Sequence, residues 1–284
     1  MRRSLLFMPG NNPGMLQNCD VFESDTVIID LEDAVSSTEK DSARNLVRSF
    51  ITTHKVKNEI MIRINGFDTP FYEKDLDYVV SDNIDSIMLP KARVEDLLKL
   101  NEILSKYEKE RKMEKHINIV PIVEMAISLI EVDEIAKCPR VNGILLGAED
   151  FTKDLEVKRT KEGNEILYAR SKIIVACKAY KIDAIDTPFT DTVDMLGLEN
   201  DVNYVKGLGM NAKSAIHPNQ IEVINKAFTP TKQEIEYATR VLKARDEAYS
   251  KGLGVFSLDG KMVDNPVIKR AETVIEKAKK FEVL

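Results

Sequence analysis

Two short apolar segments of this sequence end in carboxylates. Residues 119–124 (Ile-Val-Pro-Ile-Val-Glu) end in Glu124, and residues 143–150 (Gly-Ile-Leu-Leu-Gly-Ala-Glu-Asp) end in Glu149 and Asp150. A helical segment at 128–137 separates them, so we expect neighbouring parallel strands that present Glu124 and Asp150 side by side. Two carboxylates below open space suit a hard divalent cation that keeps several waters for substrate. The alternative for either acid alone is a solvated side chain at a strand end.

Other residue types at strand ends extend this chemistry. Arg63 offers a fixed fork of donors for a carboxylate or a carbonyl oxygen. The backbone amides of Gly147, Ala148 and Glu149 could bind another substrate oxygen, because small residues allow a close approach. With Mg²⁺, or Mn²⁺ in its place, such a site would stabilise a developing enolate. Aldol or Claisen cleavage, enolpyruvyl chemistry and decarboxylation all fit.

Two further residues have a chemical and a structural interpretation. Lys91 follows Pro90 at a strand end and could form a Schiff base, but an ion-pairing lysine fits the same position. His217 could act as a base, although a histidine before a proline at a strand end also fits a hydrogen-bonded scaffold residue.

The composition limits the class of protein. With 284 residues, 43% of them hydrophobic, the chain can form one large core. The net charge of -6 argues against nucleic acid as a partner, and no segment is apolar enough for a membrane span. Cys19, Cys138 and Cys177 have neither disulfide nor metal-ligand spacing. We therefore expect a cytoplasmic protein.

The functional residues follow apolar runs that alternate with amphipathic helical segments. This alternation, without a Gly-x-Gly-x-x-Gly turn, favours a (β/α)8 TIM barrel over a dinucleotide-binding fold. Eight strands are predicted, at 4–8, 26–30, 59–63, 86–89, 119–124, 143–150, 182–186 and 212–216.

The remaining chain is too long for a ninth barrel unit. We assign residues 1–225 to the catalytic barrel and 226–284 to a C-terminal arm or lid domain. The second part contains a helix at about 230–250, a glycine-containing joint at 252–254, a hairpin signal at Asp259-Gly260 and a terminal helix from about 267.

Several ordered motifs along the whole chain resemble the citrate lyase β subunit family, within the larger group of Mg²⁺-dependent CoA-ester lyases and aldolases. The segment from Gly147 through the EILYAR motif is similar to citrate lyase β chains, whereas Ile216-His217-Pro218 is similar to the stand-alone malyl- and citramalyl-CoA lyases. The motifs are RRSLLFMPGNNP, VIIDLEDAVSSTEKDSAR, IRINGFDTPFY, IMLPKA, PIVE, GAEDFTKDLEVKRTKEGNEILYAR, AIDTPF, SAIHPNQI and DGKMVDNPVI.

The resemblance implies a barrel, usually trimeric, that cleaves a 3-hydroxy-3-carboxyacyl thioester into an acetyl thioester and a 2-keto acid. It implies that Glu124 and Asp150 bind Mg²⁺ and that Arg63 binds substrate oxygen and steadies the enolate. Glu32 and Asp33 match an acidic pair that supports the metal's waters. Asp264 matches an acid that the C-terminal arm of a neighbouring subunit delivers.

Three functions stay open from the sequence. The first is a citrate lyase β subunit that acts on citryl thioester with an acyl carrier protein and transferase subunits. The second is a stand-alone lyase for malyl-CoA or citramalyl-CoA. The third is a structural subunit without activity. This function is disfavoured, because all the residues that the resemblance implicates are present.

Overall fold

The three-dimensional structure, a computed structural model, describes residues 1–250, 252 and 254–284. It contains two compact units, Met1–Asn225 and Lys226–Leu284. The interpretation of the second unit as an arm that reaches a neighbouring subunit stays a prediction. The predicted joint at 252–254 includes residue 253, which lies outside the described residues.

The first unit contains a closed barrel of eight parallel strands, which confirms the predicted (β/α)8 architecture. Each strand pairs with the next one along the chain, and β8 returns to pair with β1. The strands are β1 (Ser4–Pro9), β2 (Thr26–Asp30), β3 (Glu59–Arg63), β4 (Ser86–Leu89), β5 (Asn118–Val123), β6 (Gly143–Leu146), β7 (Asp183–Asp186) and β8 (Ala212–Ala215).

Ten helices follow or connect these strands in the described chain. Their bounds are α1 (Pro13–Gln17), α2 (Lys40–Thr53), α3 (Tyr72–Val79), α4 (Val94–Glu110), α5 (Ala126–Ile130), α6 (Val132–Lys137), α7 (Ala148–Asp154), α8 (Leu167–Tyr180), α9 (Met195–Leu208) and α10 (Ile221–Phe228). The single helix predicted at 128–137 is therefore two short helices that meet at Glu131. None of the described helices is both long and apolar enough to cross a membrane.

The barrel interior is apolar, and its pattern determines which residues reach the mouth. Side chains two positions apart on a strand share a face. A residue two positions after an interior residue therefore lies on the same face of its strand, closer to the carboxyl end. Asp30 is related to Ile28 in this way, and Glu124 to Ile122. The interior set is Leu5, Ile28, Met61, Met88, Val120, Ile122, Leu145, Ile185 and Ala212, with Phe7 packed against it.

An ionic cluster closes the opposite end of the barrel. Arg2 donates from Nε and Nη2 to the two carboxylate oxygens of Glu59, both at 2.6 Å, and from Nη1 to Asp183 at 3.0 Å. The hydroxyls of Thr26 and Ser86 also donate to Glu59. These partners outweigh burial and lower the pKa of Glu59. The strand beginnings are thus tied together by satisfied charges, which is a stabilising arrangement.

A second ionic cluster lies between β7, β8 and the surrounding helices. The ammonium of Lys213 donates to Asp186 at 2.6 Å, to Asp201 at 2.7 Å and to the carbonyl of Thr187 at 2.7 Å. Arg170 from α8 binds the same Asp186 through two donors, both at 2.9 Å. This cluster fixes the end of β7, where Thr187 reaches the barrel mouth.

The second unit is a hairpin packed on two helices, α11 (Lys232–Ser250) and α12 (Asn265–Lys280). The hairpin consists of β9 (Phe256–Leu258) and β10 (Lys261–Val263). Asp259 and Gly260 between them have φ of 53° and 73°, as a tight hairpin turn with two left-handed residues requires. The unit has its own apolar core, formed by Ala238, Val241, Val263, Ile268 and Ala271.

Candidate functional site

A cavity of about 440 Å³ opens at the carboxyl ends of the barrel strands. Its size is typical of a small-molecule site. Its apolar lining includes Phe7, Ile122, Leu145, Pro188 and Ile216, and its charged lining consists of Asp30, Asp33, Arg63, Glu124, Glu149 and Asp150. Acidic residues therefore outnumber the one cationic residue among the described residues that line it.

Arg63 is held at the mouth by Asp30. Nε and Nη2 of Arg63 donate to the two carboxylate oxygens of Asp30 at 2.7 and 2.6 Å. Both side chains are nearly buried, with 12% and 2% of their surface exposed. These two donors are thus occupied by Asp30, and the expected binding of a substrate carboxylate or carbonyl oxygen by Arg63 stays a prediction. Asp30 fixes the guanidinium, and Nη1 is the one nitrogen of the group that Asp30 does not bind.

The Nη1 side of Arg63 faces the acidic segment after β2. Nη1 lies 2.9 Å from Oε2 of Glu32 and 3.5 Å from Oδ2 of Asp33. The Glu32 contact is an ion pair without good hydrogen-bond geometry, and this oxygen is buried with no hydrogen-bond partner among the described residues. Burial raises the pKa of Glu32 to about 7, although Arg63 opposes the shift. Glu32 and Asp33 therefore lie where the resemblance places them, next to Arg63.

Glu124 is the more deeply buried of the two acids in the predicted metal pair. Its side chain continues the interior face of β5, and the residue is 5% exposed. Oε1 accepts a hydrogen bond from the backbone N–H of Lys91 at 2.6 Å. No donor among the described residues reaches Oε2. Burial raises the pKa of Glu124 to about 8, and the nearby charges of Glu32 and Asp150 add to the effect.

Gly147 makes room for Glu124. A Cβ at position 147 would lie 2.7 Å from both Cβ and Oε2 of Glu124 and 2.8 Å from Cγ2 of Ile122. Any larger residue would displace the carboxylate. The small residues at this strand end are therefore required by the packing of Glu124.

Two of the three backbone amides in the predicted ligand site at residues 147–149 have acceptors within the protein. The N–H of Gly147 donates to the carbonyl of Val123 at 3.0 Å, and the N–H of Ala148 donates to Oγ1 of Thr187 at 3.3 Å. Both acceptors belong to the neighbouring barrel strands or their ends, so these two amides are engaged within the protein. Of the three, the amide of Glu149 alone is left for a ligand.

Asp150 lies in the first turn of α7, not at the end of a strand as predicted, because β6 ends at Leu146 and the helix begins at Ala148. Its side chain is 42% exposed, with Lys153 Nζ 3.8 Å away. The first turn of a helix favours an anionic side chain. Asp150 and Glu124 line the same cavity and influence each other electrostatically, so the structure brings the predicted pair together.

Lys91 contributes its backbone to the site. Its φ of 49° is left-handed and directs its N–H toward Glu124. Burial lowers the pKa of its amine, but Asp68, 3.4 Å from Nζ, together with the charges of Glu32 and Glu124, raises the pKa overall. A Schiff-base lysine needs a lowered pKa. The structure therefore favours the ion-pairing interpretation.

His217 caps a short turn. Its Nδ1 accepts the N–H of Asn219 at 3.2 Å, and the amide oxygen of the buried Gln220 accepts the N–H groups of Ile216 and His217. His217 is exposed and does not line the described cavity. These contacts support the scaffold interpretation.

Asp264 is half-buried and caps α12 in the second unit. Its Oδ1 accepts the N–H of Val267 at 3.3 Å. Asp264 therefore has a structural role within its own unit, and its predicted catalytic role at a neighbouring barrel stays a prediction.

Sequence reasoning missed the functional importance of Asp30 and Thr187. In the sequence, Asp30 is only the last residue of a predicted strand, and Thr187 is not singled out. The signal was available in the alternation of the strands, because Asp30 lies two residues after Ile28 and Thr187 two residues after Ile185, both of which face the interior.

The residues at the mouth fit a hard divalent cation. Glu124 has a carboxylate oxygen without a donor, and Glu32 has a buried oxygen without a hydrogen bond. Within the described residues no group of three or more acidic, histidine or cysteine side chains converges as a complete metal site. Glu124 and Asp150 would therefore share the cation with water and substrate, as Mg²⁺ prefers.

Comparison with known proteins places these features in a family. Residues 3–218 match the family model described as HpcH/HpaI aldolase/citrate lyase. The chain is 41% identical over 282 residues to citrate lyase subunit beta of Leuconostoc mesenteroides subsp. cremoris, covering 98% of this chain and 93% of that protein. It is 31% identical to mitochondrial citramalyl-CoA lyase of Rattus norvegicus, with 96% and 85% covered.

A solved structure supports the same relationship. The protein CitE from Mycobacterium tuberculosis, in complex with magnesium, acetoacetate and coenzyme A, matches with a TM-score of 0.80. The two chains are 29% identical, and 98% of each is covered.

The raised pKa of Glu124 predicts a pH dependence of stability in the metal-free protein. The folded state binds more protons than the unfolded state between the usual pKa of a glutamate, about 4.5, and the folded value of about 8. The free energy of unfolding should therefore fall as the pH rises through this window, and Glu124→Gln should lose this part of the dependence. Thermal unfolding in EDTA at pH 5.5 and pH 8.5 measures it, and equal pH dependence in both proteins would contradict the assignment.

Proposed function

Because this chain belongs to the HpcH/HpaI aldolase/citrate lyase family, we propose that it is a Mg²⁺-dependent carbon–carbon lyase that cleaves citryl thioester into oxaloacetate and an acetyl thioester. The observation that carries this proposal is the convergence of Glu124, Asp150 and Arg63 on one cavity at the barrel mouth. The higher identity to citrate lyase subunit beta than to citramalyl-CoA lyase supports the citryl substrate.

The protein's residues would divide the reaction as follows. Glu124 and Asp150 would hold Mg²⁺, which when bound supplies a Lewis acid that withdraws electrons from a chelated 2-keto acid. Nη1 of Arg63, oriented by Asp30, would bind a substrate oxygen beside Glu32. Cleavage removes the proton of the tertiary hydroxyl, breaks the adjacent carbon–carbon bond and leaves a thioester enolate that takes up a proton on carbon. Asp264 of a neighbouring subunit would serve as the proton carrier.

The partners follow from the same proposal. The thioester would be presented by an acyl carrier protein, and a transferase subunit would exchange the acyl group, within a homotrimeric or larger assembly in the cytoplasm. A solved relative in complex with coenzyme A supports a thioester ligand. The apolar part of the cavity lining, which includes Phe7, Leu145 and Ile216, is open to the uncharged portion of such a ligand.

One observation favours a second candidate, a citramalyl-CoA or malyl-CoA lyase. Citryl thioester has a second free carboxylate that citramalyl and malyl thioesters lack. Arg63 is the only cationic residue among the described residues that line the cavity, and Asp30 already binds it. A substrate without the second carboxylate needs no further cation, and a cation supplied by another subunit would restore the citryl preference.

Assays with purified protein test the proposal and separate the candidates. Citryl-CoA, malyl-CoA and citramalyl-CoA are each incubated with the protein and Mg²⁺, and release of the keto acid is measured. We expect the highest kcat/KM for citryl-CoA, no turnover in excess EDTA, and loss of turnover and Mg²⁺ binding in Glu124→Gln and Asp150→Asn. Full activity in EDTA would contradict the metal assignment, and a preference for citramalyl-CoA would establish the second candidate.

Arg63→Lys should reduce kcat by on the order of a hundredfold, because one ammonium cannot bind both oxygens of Asp30 and still face Glu32. Arg140→Lys is the matched control, since Arg140 also binds a carboxylate with two donors, at 2.6 and 2.8 Å to Glu108, near the opposite end of the barrel. The control variant should have a lower melting temperature than the wild type but the same kcat. Equal kcat in Arg63→Lys and the wild type would make Arg63 a structural residue.

The shared site can be tested by mixing two inactive proteins. Asparagine is as good a helix cap as aspartate, so Asp264→Asn should keep the fold and Mg²⁺ binding while losing turnover. When Asp264→Asn and Glu124→Gln chains are co-expressed in equal amounts, a site works if an intact barrel meets an intact arm. Random assembly gives about a quarter of wild-type activity. No recovery in verified mixed oligomers would place Asp264 at its own barrel or outside the chemistry.

A further inference from the structure

Lys40 is a buried lysine whose contacts are unexplained by the proposed chemistry. It is the first residue of α2 and is 7% exposed. Its ammonium donates to the carbonyl oxygens of Leu31 and Glu32, each at 2.7 Å. It does not line the described cavity, so it does not reach the ligand position directly.

Helix stability does not account for this lysine. A cation in the first turn of a helix is opposed by the helix dipole, and burial of an ammonium group is unfavourable unless it is well bonded. In the described part of the chain no carboxylate lies within ion-pair distance of Lys40. Its hydrogen-bond acceptors are two carbonyl groups of one short loop, and the charges of Asp30, Glu32, Asp33 and Asp75 act on it from longer distances. Three of these four acids belong to the same loop or to the strand end before it, so the contacts of the lysine converge on this loop.

The loop carries the acids that face Arg63. The carboxylate of Asp30 accepts the N–H of Glu32 at 2.8 Å and the N–H of Ala34 at 3.0 Å. Lys40 binds the carbonyls on both sides of the Glu32 N–H. The backbone of Glu32 is therefore fixed at its amide by Asp30 and at its carbonyl by Lys40, and its side chain is directed to Nη1 of Arg63.

We propose that Lys40 is a positioning residue that sets Glu32 and Asp33 at the proposed cation and substrate site by binding the carbonyls of Leu31 and Glu32. This inference rests on the proposed function, because it assigns to the loop a place beside a bound divalent cation. Lys40 acts through the loop and touches neither the cation nor the substrate.

Lys40→Met tests the proposal, because methionine has a similar length and no donors. Both carbonyls keep another donor in this variant: Asn65 Nδ2 binds Leu31 at 2.9 Å, and the N–H of Val35 binds Glu32 at 3.1 Å. The protein should therefore fold. We expect Mn²⁺ binding, followed by electron paramagnetic resonance of the free ion, to weaken about tenfold, because groups that support a metal site from outside its ligand set typically contribute this much to its affinity.

Arg140→Met is the matched control for a loss of stability remote from the site, since it removes the Glu108 ion pair near the opposite end of the barrel. It should lower the melting temperature without changing the affinity for Mn²⁺. If Lys40→Met also lowers only the melting temperature, Lys40 is a structural residue and the inference is overturned. A wild-type protein that does not bind Mn²⁺ would instead contradict the proposed function.

A double-mutant cycle shows whether Lys40 acts through Glu32. Glu32→Gln removes the carboxylate that the loop presents, so Lys40→Met should weaken Mn²⁺ binding much less in this background than in the wild type. Equal weakening in both backgrounds would overturn the proposed route through Glu32.

Discussion

The ion pair between Asp30 and Arg63 is the interaction on which the barrel mouth depends. Asp30 binds two donors of Arg63 and neutralises the one cation of the described cavity lining. No uncompensated cation is therefore left in this lining to balance the buried carboxyl groups of Glu32 and Glu124, and burial raises the pKa of both. A hard divalent cation would supply the missing charge. The same pair leaves Nη1 as the part of Arg63 that is directed toward the acids.

The architecture could be predicted because each strand is an apolar run with a polar end. The sequence located β2, β3 and β4 to the residue, and the two-residue alternation explains why Asp30, Arg63 and Glu124 each continue the interior face of their strand toward the barrel mouth. The predicted metal pair and Arg63 do line one cavity. These features follow from local pattern and from the closure of parallel strands.

Several contacts that the sequence did not predict join residues that are far apart along the chain. The amides of Gly147 and Ala148 were expected to be free, but their acceptors come from Val123 and Thr187. The partner of Arg63 is 33 residues away. A strand-end acid can equally be a metal ligand, a helix cap or an ion-pair partner, and only the arrangement of neighbouring strands distinguishes these roles.

The two ends of the barrel have opposite electrostatics, and this difference links stability to function. At the strand beginnings, Arg2 outweighs burial and lowers the pKa of Glu59, so the ionised acid is stabilised. At the mouth, burial raises the pKa of Glu124, so the ionised acid is unfavourable until a cation is present. Ligands that bind only the folded state add to its stability. The mouth therefore destabilises the metal-free protein and stabilises the metal-bound one. The ion pairs of Arg2 at the strand beginnings stabilise the barrel in both states, so the fold tolerates the unfavourable charges of the metal-free site.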